Sequence, residues 1–210
     1  MSIKKTLLFA VATVFFIVGA YFLYSYLSEN YIGDTISIIE DRGEITKSEE
    51  PSTDDTAETQ SKEETRYTVP DFTVTDKDGN KVSLSDCFGK PIIVNFWASW
   101  CPPCKREMPD FEEAYKKYGD EIIFMMINMT GGRETIESAK NFIENSSFTF
   151  PVYFDTEYEA AMTYGVSSIP QTLFIDENGR LKAYAQGIIS KESLDTGISM
   201  IYNTNTTISE

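Results

Sequence analysis

Pro91-Ile92-Ile93-Val94-Asn95-Phe96-Trp97-Ala98-Ser99-Trp100-Cys101-Pro102-Pro103-Cys104-Lys105 joins an apolar run to two cysteines set two residues apart. Pro91 to Trp97 reads as a buried strand, because a short continuous apolar run suits a strand covered on both faces. Beyond the cysteines, Met108, Phe111, Ala114, Tyr115 and Tyr118 fall at helical spacing over 107–118. Cys101 therefore stands where a strand ends and a helix begins. Pro102 and Pro103 suit a first helical turn, whose amides have no partners within the helix. Free N–H groups and the helix dipole point at the first sulfur and favour its thiolate, the form that attacks disulfides. A Cys-x-x-Cys pair in this setting indicates a redox dithiol. The rival readings are two structural cysteines or a zinc site, and zinc needs further ligands.

The chain has 210 residues, 41% of them hydrophobic, enough for one packed domain with additions. Its 33 acidic and 18 basic residues give a formal charge of −15, which repels phosphate backbones and makes nucleic acid a poor partner. Histidine is absent. That excludes Ser-His-Asp and Cys-His catalysis, His-bearing metal sites and haem attachment through Cys-x-x-Cys-His in this chain. Three cysteines, Cys87, Cys101 and Cys104, are too few for a disulfide-stapled scaffold. Nucleophilic chemistry falls to sulfur, with no cofactor and no metal expected.

Lys4 and Lys5 precede an uncharged apolar segment, 6–27, close to the ~20 residues that span a hydrocarbon core. Lysines before it and acidic residues after it orient the N-terminus toward the cytoplasm. Residues 1–27 are expected to be a single transmembrane anchor, with everything beyond it extracytoplasmic. A cleaved signal peptide is the alternative, cut after Val18-Gly19-Ala20, although Tyr21 to Leu27 stays apolar past that point. Residues 28–66 are acidic and lack hydrophobic periodicity, as a disordered tether does, apart from a candidate ordered piece at Ile36, Ile38 and Ile39. Such a tether serves as a leash or as a plain spacer.

Residues 67–210 read as one α/β domain with a short polar tail. Phe72-Thr73-Val74-Thr75 and Lys81-Val82-Ser83-Leu84 flank Asp78-Gly79-Asn80, a hairpin signal. Ile122 to Ile127 is a second buried strand, and 134–144 a helix with Ile136, Ala139, Phe142 and Ile143 on one face. A short strand at Val152-Tyr153-Phe154 and a short helix over 157–164 follow. Thr172 to Ile175 and Leu181 to Gln186 flank Asp176-Glu177-Asn178-Gly179, and a helix over 191–202 closes the domain. Strand and helix alternating in this order predict a mixed sheet with helices on both faces.

Val94-Asn95-Phe96-Trp97-Ala98-Ser99-Trp100-Cys101-Pro102-Pro103-Cys104-Lys105-Arg106-Glu107-Met108-Pro109 resembles the thioredoxin superfamily, and more narrowly its membrane-anchored TlpA/ResA/CcmG branch. Leu84-Ser85-Asp86, Phe150-Pro151-Val152 and Gly165-Val166-Ser167-Ser168-Ile169-Pro170-Gln171-Thr172 agree in order. The resemblance implies a thioredoxin-like sheet extended by an N-terminal hairpin. It implies Cys101 as nucleophile, in keeping with the dipole argument, Cys104 as resolver, and a redox-active disulfide between them. It also implies a cis Ile169–Pro170 bond facing the cysteines, whose backbone a substrate can pair with. Trp100, Pro102 and Pro103 are expected beside the substrate. Asn95 departs from thioredoxin, where a buried aspartate moves protons. Glu107, one turn beyond Cys104, is the candidate replacement, as in relatives of the ResA type, and an exposed helix charge is the alternative. A carboxylate there accepts the resolver's proton and raises nearby thiols.

Cys87 is expected to be buried and inert, Trp97 a core residue, and Lys105 either solvated or a positive neighbour of the thiolates. Thr130-Gly131-Gly132 is a weak phosphate signal without a following Gly-Lys-Ser/Thr. Pro102-Pro103 supplies no donor to a thiolate, which places the protein nearer thioredoxin, at about −270 mV, than the oxidant DsbA at about −120 mV. The resemblance implies a membrane thiol transporter of the CcdA/DsbD type as electron donor. Its implied substrates are exported disulfide proteins such as apocytochrome c. Alternatives are an oxidase or isomerase of secreted proteins, a thiol peroxidase (Ala98 stands where one needs Thr or Ser), and a metal-handling module.

Overall fold

The computed structural model describes residues 13, 15–23, 36–38 and 68–202. The chain divides into two units, Met1–Asp34 and Thr35–Glu210. In the first, residues 15–23 are helical and Phe15, Phe16 and Phe22 are exposed. Among the described residues no helix is long and apolar enough to cross a membrane. Most of the expected anchor over 6–27, most of the tether over 28–66 and the tail from Asn203 lie outside the described residues.

The second unit is built on β4 (Ile92–Trp97), a strand with all six residues buried. Its side chains alternate between faces. Ile93 and Trp97 meet the core under α1 (Pro102–Tyr118), α2 (Ile136–Ser146) and α4 (Lys191–Ile201). Ile92, Val94 and Phe96 meet a second core with α3 (Glu159–Thr163) and a 3-10 turn at Leu84–Cys87. Asn95 falls on the α1 face by the same alternation. β4 pairs in parallel with β5 (Ile123–Asn128) and antiparallel with β7 (Gln171–Ile175). The full order is β1-β8-β7-β4-β5-β6-β2-β3, where β1 is Ile36–Ile38, β2 Thr73–Thr75, β3 Lys81–Ser83, β6 Val152–Phe154 and β8 Leu181–Gln186. The mixed sheet with helices on both faces is as expected.

Both hairpins turn on the same chemistry. Asp76 Oδ1 accepts from the Asp78 and Asn80 amides, and Asp176 Oδ1 from those of Asn178 and Arg180. Gly79 and Gly179 take the positive φ values of 90° and 75° that each reversal requires.

The candidate ordered piece within the stretch read as tether contributes β1, which pairs antiparallel with β8. An edge strand is stabilised by its partner's free N–H and C=O groups, which composition does not reveal. The helix expected over 134–144 begins at Ile136, because Thr135 Oγ1 caps it by accepting from the Ser138 amide, 3.0 Å away. The helix expected over 157–164 shrinks to Glu159–Thr163, since Tyr158 is left-handed at φ 57° and cannot belong to it.

Candidate active site

The junction of β4 and α1 fixes the cysteines. Cys101 caps α1 from extended backbone, φ −88° and ψ 107°, and its Sγ accepts from the Cys104 amide at 3.2 Å. Pro102 and Pro103 take the first helical positions, where no amide donor is lost. Cys101 and Cys104 are joined as a disulfide, with Cα atoms 5.3 Å apart. Both sulfurs are largely covered, Cys104 fully and Cys101 to 2% exposure, but only Cys101 borders an open groove of about 390 Å³.

Trp100, Pro102, Pro103 and Ile169, the residues expected beside the substrate, line the same groove. The Ile169–Pro170 bond is cis, and the Ile169 carbonyl oxygen lies 3.8 Å from Cys101 Sγ. Pro170 itself is buried and does not line the groove, so the expected contact of this residue with substrate is not among those the groove offers. Trp100 is 44% exposed at the rim. Trp97 is in the core, as expected. Lys105 is exposed, with its Nζ 5.8 Å from the Phe142 ring centroid.

Glu107 is 1% exposed, which excludes the solvated helix charge. Its Oε1 accepts from Asn95 Nδ2 at 2.8 Å and its Oε2 from the Ile189 amide at 3.0 Å. Asn95 Nδ2 also donates to Thr172 Oγ1 at 3.1 Å. A carboxylate survives burial only when donors replace its water, and the Asn95 amide group and the Ile189 backbone N–H do so here. Cys104 and Glu107 lie three residues apart on one buried face of α1.

Cys87 was expected to be buried and is half-buried instead, with Sγ 3.8 Å from the Ser83 carbonyl. Desolvation and then the neighbouring Asp86 push its thiol up, away from the reactive thiolate.

Two site residues escaped the sequence reading. Glu134 is 2% exposed. Its Oε1 accepts from the Ser99 amide at 3.1 Å and Asn128 Nδ2 at 3.0 Å, and its Oε2 from the Ser99 hydroxyl at 2.9 Å. The carboxylate thus ties the segment before Cys101 to the end of β5. Arg133 lies over Trp100, with Cζ 4.2 Å from the ring centroid. The Thr135-x-x-Ser138 cap and the Gly131-Gly132 pair were the available signals, since together they mark a turn where a helix was expected.

Comparisons with known proteins place the chain in a family. The model of the AhpC/TSA family matches residues 65–184. The thiol-disulfide oxidoreductase ResA of Geobacillus kaustophilus is 37% identical over 137 residues, covering 64% of this chain and 76% of its own. The crystal structure of StoA from Bacillus subtilis superposes with a TM-score of 0.54 at 27% identity, covering 61% of this chain and 96% of its own. That of the exposed lipoprotein thioredoxin of Streptococcus pneumoniae superposes with a TM-score of 0.55 at 31% identity, covering 62% and 98%.

Proposed function

This chain belongs to the AhpC/TSA family and is a thiol-disulfide oxidoreductase, and on that premise we propose that it is a membrane-anchored, extracytoplasmic reductant of disulfides in exported proteins. The asymmetry of the two sulfurs carries the reading: Cys101 caps a helix beside an open groove and Cys104 is enclosed. In the reduced form the Cys101 thiolate attacks one sulfur of the substrate disulfide. A mixed disulfide forms, and the first substrate thiolate leaves and takes up a proton. Cys104 then gives its proton to the Glu107 carboxylate and attacks Cys101 Sγ. The internal disulfide closes and the second substrate thiolate is released. Two electrons pass to the substrate.

The surroundings of the sulfurs support this direction. Two prolines between them offer no hydrogen to a thiolate, and the enclosed carboxylate of Glu107 disfavours further negative charge nearby. Both favour the disulfide over the dithiol, hence a reductant. Such a reductant outside the cytoplasm needs electrons from a membrane thiol transporter of the CcdA/DsbD type. Its proposed substrates are the oxidised Cys-x-x-Cys-His segments of apocytochromes c and comparable exported disulfides.

Equilibration with dithiol buffers of known potential tests the direction. A potential well below about −180 mV, the value of protein disulfide isomerase, supports a reductant, and one above it favours the oxidase or isomerase. Replacing Cys104 by serine traps substrates on Cys101 and identifies them.

A further inference from the structure

Arg133 sits at the tip of a two-residue reversal beside the groove. Gly131 and Glu134 close that reversal by exchanging two backbone hydrogen bonds of 2.9 Å. Gly132 turns at φ 59°, and Gly131, at φ 146°, passes so near Tyr158 that a Cβ there would lie 2.3 Å from the phenol oxygen. Below the turn, the buried Glu134 carboxylate clamps Ser99 and Asn128. The base is fixed from two sides, so the tip presents Arg133 at a set place.

At that place the guanidinium lies over the ring of the partly exposed Trp100. Stacking uses one face of the guanidinium plane and leaves its N–H edges pointing outward. Among the described residues no carboxylate forms an ion pair with Arg133. That is unusual company for an arginine in a chain of formal charge −15. The groove beside it is lined by Trp100, Pro102, Pro103, Met129, Val166, Ile169 and neutral neighbours, with no charged side chain among them.

From this we infer that Trp100 and Arg133 form a substrate-selecting rim: the groove takes an apolar segment flanking the target disulfide, and Arg133 pairs with a carboxylate side chain of that segment. The chemical class is an exported polypeptide with an acidic residue near its reducible cysteine. An edge-on guanidinium matches a carboxylate with two parallel hydrogen bonds, and neither an amide nor an ammonium can do the same. The inference deepens the proposed reductase reading and rests on it.

The test uses the reduced full-length protein and short apolar peptides with one cysteine held as a thiopyridyl disulfide. The peptides differ in a flanking Glu, Gln or Lys, and thiopyridone release is followed by stopped flow. The expected result is a preference for the Glu peptide over the Lys peptide of about fivefold at low salt, shrinking as salt screens the pair. Arg133→Gln should collapse that ratio, Arg133→Glu should invert it, and Arg133→Lys should keep its direction. Equal rates on all three peptides with the unmodified chain overturn the rim. A ratio unchanged in Arg133→Glu, or an equal loss on every peptide, overturns it as well. Failure to react with any peptide defeats the reductase reading itself, a different result.

Discussion

Asn95 Nδ2 donates to Glu107 Oε1 across 2.8 Å, and both side chains are closed off from solvent. Asparagine cannot move a proton, but here it aims a carboxylate that can. Glu107→Gln keeps the shape and removes the proton acceptor. Resolution of the mixed disulfide should slow by about 10²-fold, the low end of general-base contributions, with attack by Cys101 much less affected. Single-turnover stopped flow separates the steps. Equal slowing of both would remove the role assigned to Glu107.

Glu134→Ala withdraws the acceptor from the Ser99 amide, the Ser99 hydroxyl and Asn128 Nδ2 at once. Buried donors left without partners should cost about 3 kcal/mol of stability. Reactivity of Cys101, two residues past Ser99, should fall with it. Urea denaturation and alkylation rates check both; unchanged stability would mean that the clamp carries no weight.

Glu112 gives a pH dependence with a definite sign. Burial alone would raise its carboxyl, but the Thr149 amide and hydroxyl, Lys116 and the Phe150 amide together hold it below the unfolded value of 4.5. A depressed carboxyl contributes stability that is fully present above 4.5 and is lost as pH falls through the folded value. Glu112→Gln should therefore cost about 2 kcal/mol at neutral pH, mostly through the 2.7 Å bonds from Thr149. The gap between the two proteins should narrow in acid. Thermal melts from pH 7 to pH 3 decide, and a constant gap would refute the assignment.

Gly197 sets two effects against each other. Helix propensity favours alanine by about 1 kcal/mol in the interior of α4. A Cβ there would lie 2.3 Å from the ring of the fully buried Phe174 on β7. Overpacking of a closed core costs about 1–3 kcal/mol, so Gly197→Ala should be destabilising. A raised melting temperature would show that the core yields more readily than its burial suggests.

How much of this was legible in the sequence depended on how local its cause was. β4 and α1 could be read from Ile92 to Tyr118 because an unbroken apolar run and a 3.6-residue period are properties of the segments themselves. The cis bond before Pro170 was legible only through resemblance, since many loops contain an Ile-Pro pair. Glu107 remained ambiguous because burial of a helix carboxylate depends on Asn95 and Ile189, 12 and 82 residues away. Glu134 was absorbed into a helix by periodicity when a capping pattern one residue later should have prevailed, and Arg133, just before that helix, carried no signal of its own. β1 depends wholly on β8, nearly the length of the domain away.

That pairing changes what the acidic stretch after Ile38 does. Ile38 and Thr68, the residues on either side of it, belong to one sheet-bearing unit, so the number of residues between them does not set how far the groove can range. A single protease cut between residues 39 and 67 would leave the front of the chain gripped by three residues of β-ladder. Separation of the two fragments would then wait on strand unpairing, an equilibrium that competing edge-binding peptides could tip.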